Sequence, residues 1–207
     1  MTEGLLYVLS EPGGVAEEEF HDWYDTEHAP ARVRVPRIHS GHRYRALDGA
    51  RPSWLAWYEL DLAALTSPEY DIVRRRSPRE QSVVSRLETL DRRVYELTDS
   101  WGSVEGPAPV VVSVALSGDA DALGEWYRDE HAPLLLGLPG WHRIRRYRRV
   151  EGSGPDVLAF HEIAGVDLFD DPLYLHATST PWRERVMGTV TARERRVFGF
   201  HNTARGR

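Results

Sequence analysis

The chain has 207 residues and a net charge of −6, with an isoelectric point of about 5.9; this acidic balance argues against a nucleic-acid surface. It contains no cysteine, which excludes disulfides, thiolate nucleophiles and cysteine-ligated metals. All 26 basic residues are arginine, which excludes Schiff-base catalysis, covalently held pyridoxal phosphate and a Walker lysine.

In chain order, Gly4–Leu9 reads as a strand, followed by the turn Glu11-Pro12-Gly13-Gly14. An amphipathic helix is expected over 16–29, stopped by Pro30. Then come a strand at 42–46, a turn around Gly49 and Pro52, a strand at 54–60, helical segments over 62–90 and a last strand at 93–97. A linker over 99–109 leads to the same order again: strands at 110–116, 145–150, 157–163 and 196–200, a helix over 121–132 before Pro133, and helical segments over 167–190.

The second series repeats the first. Trp23-Tyr24-Asp25-Thr26-Glu27-His28-Ala29-Pro30 returns as Trp126-Tyr127-Arg128-Asp129-Glu130-His131-Ala132-Pro133, identical at six of eight positions and 103 residues later. The same offset pairs His39 with His142, Tyr44 with Tyr147 and Pro78 with Pro181. The expected fold class is α+β: two tandem β-α-β-β-α-β ferredoxin-like repeats, 1–103 and 104–207, forming one pseudo-symmetric barrel. Function is expected between the copies. No apolar run approaches 18 residues and no signal peptide opens the chain, so the reading is soluble and cytoplasmic, without membrane or nucleic-acid partners. A homodimer of two chains is compatible with it.

His28 and His131 share an apolar helix face with Tyr24 and Tyr127 and precede a proline. The helix C-terminus favours imidazolium and burial disfavours it, which points to titration near neutrality. A packed or capping role is the alternative. Asp25, three residues before His28, is expected to orient it, whereas Arg128 would oppose charge on His131; His28 is therefore the preferred base. His39 and His142 fall in loops, as binding residues or as backbone-bonded histidines. Tyr44 and Tyr147 read as sheet packing or substrate contacts. Tyr58 aligns with His161, a pocket candidate if that face is the inner one. The tryptophan and tyrosine surplus suggests an aromatic-lined cleft, and Arg143, Arg145, Arg146, Arg148 and Arg149 an anion anchor or a solvated edge. No spacing matches a metal site clearly.

His131-Ala132-Pro133-Leu134-Leu135-Leu136-Gly137-Leu138-Pro139-Gly140-Trp141, followed by Arg146-Tyr147, resembles the EthD family motif of the dimeric α+β barrel superfamily. His28-Ala29-Pro30 through Val35-Pro36 to Arg43-Tyr44 is a second version, with Arg37 in place of the glycine. The resemblance implies a barrel of two ferredoxin-like units around a ligand cleft. It also implies kinship with muconolactone-type isomerases, polyketide cyclases, aldoxime dehydratases, cofactor-free monooxygenases and haem-binding dismutases, with a histidine matching His28 or His131 in proton transfer. The leading expectation is a cofactor-free lyase or isomerase of secondary metabolism, acting on a small cyclic or aromatic molecule. The alternatives are a haem- or oxygen-dependent monooxygenase-type barrel, with His176 or His201 as axial ligand, and a non-catalytic binding barrel.

Overall fold

The computed structural model describes residues 2–206. Its α+β fold agrees with the expectation: eight strands, hydrogen-bonded in the order β1-β3-β2-β8-β5-β7-β6-β4, close into one barrel. These strands are β1 (Glu3–Glu11), β2 (Ile38–Ala46), β3 (Trp54–Asp61), β4 (Thr89–Gly102), β5 (Val110–Ser117), β6 (Trp141–Glu151), β7 (Val157–Ile163) and β8 (Ala192–Thr203). The chain separates into two compact units. The first holds residues up to Leu97 together with Val150–Ser153 and the segment from Phe200; the second holds Thr98–Arg149 and Gly154–Gly199. Among the described residues no helix is long and apolar enough to cross a membrane.

Within the first unit β1 pairs antiparallel with both β3 and β4, and β2 pairs with β3. Within the second, β5 pairs with β7 and β8, and β6 with β7. One sheet face of the first unit is covered by helices α1 (Glu17–Trp23), α2 (Ala29–Val33), α3 (Pro68–Arg74) and α4 (Pro78–Val84). Their counterparts are α5 (Ala120–Trp126), α6 (Ala132–Leu136), α7 (Pro172–Ala177) and α8 (Pro181–Met187). Alternate strand residues such as Leu6, Val8, Ala56 and Tyr58 pack with Phe20, Trp23, Tyr24 and Val83 of the helices. That period-2 pattern meeting a helical stripe is what buries each unit's core.

Strand boundaries differ from the sequence reading. β4 runs on through Gly102, into the segment read as linker, and β2 and β6 begin three or more residues early. His39 and His142 therefore sit at strand bulges, where the register shifts between Ile38 and Ser40 and between Trp141 and Arg143.

Arg37 stands where the second unit has Gly140, and both are left-handed, at φ 71° and 96°. Their carbonyls accept equivalent bonds from Asp61 and Ala164, so the loop keeps its shape despite the arginine. A non-glycine residue in this region costs roughly 1–2 kcal/mol, partly offset by glycine's larger unfolded-state entropy. Arg37→Gly is thus expected to raise stability by about 1 kcal/mol, read as a higher denaturation midpoint at unchanged slope.

Candidate functional site

Both halves wind the repeated motif as an α-helix, one π turn and a second α-helix. The π turns are Tyr24–His28 and Tyr127–His131, with Ala29 N–H bonded to Tyr24 O and Ala132 N–H to Tyr127 O. The following prolines explain them. In a continuous α-helix Pro30 would offer no N–H to the carbonyl of Thr26 and its ring would collide with it; the wider turn removes the conflict. The prolines therefore do not stop the helix, as the sequence suggested. Each lies at the start of the next one, which continues to Val33 or Leu136.

The extra residue in the turn carries Asp25 away from His28. Asp25 pairs with Arg43 Nη1 at 2.6 Å, which corrects the expectation that it orients His28. The carboxylate on His28 is Glu80 of α4, whose Oε1 lies 2.9 Å from His28 Nδ1. Arg32 donates to the same Oε1 at 3.0 Å and to His28 O at 3.1 Å. Glu80 is placed by Ser77, the N-cap of α4, whose Oγ accepts from Glu80 N. Ser77 in turn donates to Glu27, the residue before His28. In the second unit Thr180 donates to Glu130 at 2.6 Å. The duplicated glutamate of the motif is thus a clamp between the π turn and the N-terminus of α4 or α8.

Hydrogen bonding to His28 and the Arg32 cation hold the Glu80 carboxyl below its usual range, overriding its burial. As a carboxylate it can only accept, so neutral His28 carries its proton on Nδ1 and its lone pair on Nε2. Burial, followed by the nearby Arg32 cation, pushes the His28 pKa down to about 4, against the raising effect of Glu80. Titration near neutrality is therefore corrected: the helix does not end at His28, so no terminal dipole supports the imidazolium, and burial dominates.

His28 lines a cavity of about 630 Å³ inside the first unit, together with Leu6, Val8 and Tyr58 of the sheet and Tyr70, Glu80 and Val84 of the helices. Arg32, Arg74, Arg76 and Arg92 also line it. The Tyr58 hydroxyl is buried without a hydrogen-bond partner of standard geometry. Burial, then neighbouring Tyr24, raises its pKa well above the ordinary value, so it stays protonated as a donor.

The second unit builds the same frame without the space. Its cavity is about 60 Å³, far below the 300–1,000 Å³ that small-molecule sites occupy. Trp141, in place of Ile38, stacks on Tyr174 at 5.5 Å and fills it. His131 stacks on Trp126 at 4.2 Å and donates its Nδ1 proton to Ala177 O at 3.1 Å. Arg183 occupies the Glu80 position and Leu135 the Arg32 position. Burial, opposed by that backbone bond, leaves the His131 pKa at about 3. Arg128 is exposed, so the inequality of the two histidines comes from Glu80 and the cavity rather than from Asp25 and Arg128.

No protein-family model and no curated protein matches the chain. Solved structures match it over nearly its whole length. An anthrone oxidase-like protein aligns with TM-score 0.66 and 10% identity over 99% of this chain and 93% of that one. A mutant chlorite dismutase from Candidatus Nitrospira defluvii aligns with TM-score 0.62 and 10% identity, over 97% and 92%. A ferredoxin-fold protein related to antibiotic biosynthesis monooxygenases, from Listeria monocytogenes, aligns with TM-score 0.52 and 9% identity, over 98% and 96%. At these identities the likeness is one of fold, that of ferredoxin-like α+β barrels.

The other expected site residues are dispersed. His161 lies on the helix-covered face, as Tyr58 does, and lines the small cavity with Tyr127. It accepts from Trp141 Nε1 at 3.2 Å. An indole can only donate, so neutral His161 carries its proton on Nε2, 3.4 Å from the Tyr127 hydroxyl. Burial, then neighbouring His131, holds its pKa well below the ordinary value. Tyr24 packs beside His28, with ring centroids 4.7 Å apart. Tyr44 packs against Trp57 and Phe200, and Tyr147 is buried on β6. His39 is exposed and His142 half-buried; neither lines either histidine cavity. The expected aromatic cleft is corrected: Trp23, Trp54 and Trp57 are buried core, and the open cavity is lined by arginines. Four arginines of the Arg-rich strand are ion-paired within the unit, with Arg143 and Arg145 sharing Glu162, Arg146 on Asp99 and Arg149 on Asp156.

His21, Asp25 and His201 bring ligand-type atoms within 4.8 Å of one another, the donor set of a divalent metal. Arg43 already donates to Asp25 Oδ1 and, at 3.1 Å, to His21 Nδ1. Its permanent cation takes one lone pair from each of Asp25 and His21 and opposes a second cation beside them, so the cluster is an arginine-centred network. Neither His176 nor His201, the axial haem ligands suggested by the sequence, lines either histidine cavity.

Proposed function

We propose that the first unit is a cofactor-free acid–base site for a small cyclic organic molecule, in keeping with the EthD-like motif, and that His28 is its base. The supporting observation is the Glu80–His28 pair at the wall of a 630 Å³ cavity. Nε2 is the ring nitrogen left for a ligand. A carbon acid next to a carbonyl loses its proton to Nε2; the C–H electron pair moves into an enolate, whose oxygen Tyr58 O–H can meet. Glu80 stabilises the imidazolium formed. Returning the proton to another atom completes an isomerisation or a dehydration, and the enolate is equally the species a cofactor-free oxygenase would hand to oxygen.

The test is deuterium incorporation into 2-tetralone, an enolisable cyclic ketone, followed by NMR in D₂O. Exchange above buffer that is lost in His28→Ala is the expected result; equal exchange in the two proteins would refute the assignment. Because neutral His28 is the active form and its pKa is about 4, the rate is expected to stay level from pH 8 to about 5.5. An inflection near the ordinary imidazole value of about 6.5 would contradict the buried neutral base.

The haem-dependent alternative would use the same side chain, because an imidazole backed by a carboxylate on Nδ1 is also a fit axial ligand. Titration with haemin separates the two. A Soret band that disappears in His28→Ala would replace the base by an axial ligand; the proposal expects none.

A further inference from the structure

We infer that the ligand of the first-unit cavity is an organic anion whose carboxylate is held by Arg74 and Arg76, a deepening that rests on the acid–base reading above. Four arginines and two glutamates line the cavity. Glu80 is engaged by His28 and Arg32. Arg92 is engaged by Glu151 at 2.6 Å. Two cations remain. Among the described residues, the carboxylate partner of Arg74 is Asp71, 3.8 Å away at the exposed helix surface. Arg76 has no carboxylate partner among the described residues.

Two guanidinium groups on a concave wall, one weakly paired and one without a carboxylate partner among the described residues, concentrate a positive field there, in a chain whose net charge is −6. Their planar donor forks match a carboxylate. The second unit supplies an internal comparison. At the 103-residue offset Ala177 and Ser179 stand where Arg74 and Arg76 do, and its cavity is filled. The cations therefore accompany the open cavity and are not demanded by the fold. With the carboxylate at Arg74 and Arg76, the ring of the ligand lies over Leu6 and Val8 and its far edge meets His28 and Tyr58. This orientation selects a flat ring acid that carries a carbonyl or phenol at the opposite end.

The test is calorimetric titration of the full chain with 2-naphthoate and with its neutral isostere 2-naphthamide, at low and high salt. The naphthoate is expected to bind about 10-fold or more tightly than the amide, with the difference shrinking in salt. The double variant Arg74→Gln, Arg76→Gln, at exposed positions that carry no core contacts, should abolish that preference. His28→Ala should keep it. Equal affinity for acid and amide, no binding of the acid, or a preference that survives the double variant would each overturn the inference. Its failure is separable from failure of the base assignment, because exchange into 2-tetralone requires neither arginine.

Discussion

Replacing His28 by alanine is expected to lower turnover by about 10²–10⁴, the usual contribution of a positioned general base, while His131→Ala changes it by no more than a few-fold. His28 has a carboxylate on Nδ1 and a 630 Å³ cavity beside it; His131 has a backbone carbonyl and about 60 Å³. Glu80→Gln should cost less than loss of the base. It removes one charge-assisted hydrogen bond, about 1.5–3 kcal/mol, which corresponds to roughly 10- to 100-fold in rate. His131→Ala instead empties a ring stacked against Trp126, and its effect belongs to stability, at roughly 2–4 kcal/mol by analogy with other buried truncations. Parallel kinetics and denaturation on the three variants check this. A large loss of turnover in folded His131→Ala would move the chemistry to the second unit.

The chain is expected to lose stability steeply below about pH 6. His28, His131 and His161 are held neutral by burial, with pKa values of about 4, about 3 and well below 6.5. All three return to about 6.5 in the unfolded chain. A histidine whose folded pKa is depressed binds its proton first in the unfolded state, so its stabilising effect is present above 6.5 and is lost as pH falls toward the folded value. Each group then removes about 1.4 kcal/mol per pH unit, or about 4 kcal/mol per unit for the three together. Against a typical stability of roughly 5–15 kcal/mol, this predicts unfolding between about pH 5 and 4. Urea midpoints measured from pH 7 to 5 give the slope. His131→Leu should reduce that slope by about one proton; an unchanged slope would show that His131 is not buried neutral.

The fold was legible because the repeat preserves what folding needs: strand alternation, the turn residues and the helix-capping positions. The two histidines do differ in their surroundings, but the partner drawn for His28 was wrong. Helical spacing predicts Asp25 beside His28 only in an uninterrupted α-helix. The prolines after each motif carried the signal for a π turn, which shifts the helical face by a residue. Glu80 lies 52 residues from His28 and is brought to it by the packing of α4 on the π turn, a distance no local pattern spans. One sequence clue existed. Ser77-Pro78-Arg79-Glu80 aligns with Thr180-Pro181-Trp182-Arg183, and a sign reversal behind a shared cap marks a position free of the fold's demands. The aromatic surplus misled because tryptophan serves a packed core as readily as a cleft.

The most direct test of the account is the protonation state of one ring. In ¹⁵N-histidine NMR of the full chain, the resonances missing from His28→Ala should report a neutral imidazole with its proton on Nδ1, unchanged from pH 8 to 5.5. A proton on Nε2, or a titration centred near pH 6.5, would contradict the Glu80-backed base.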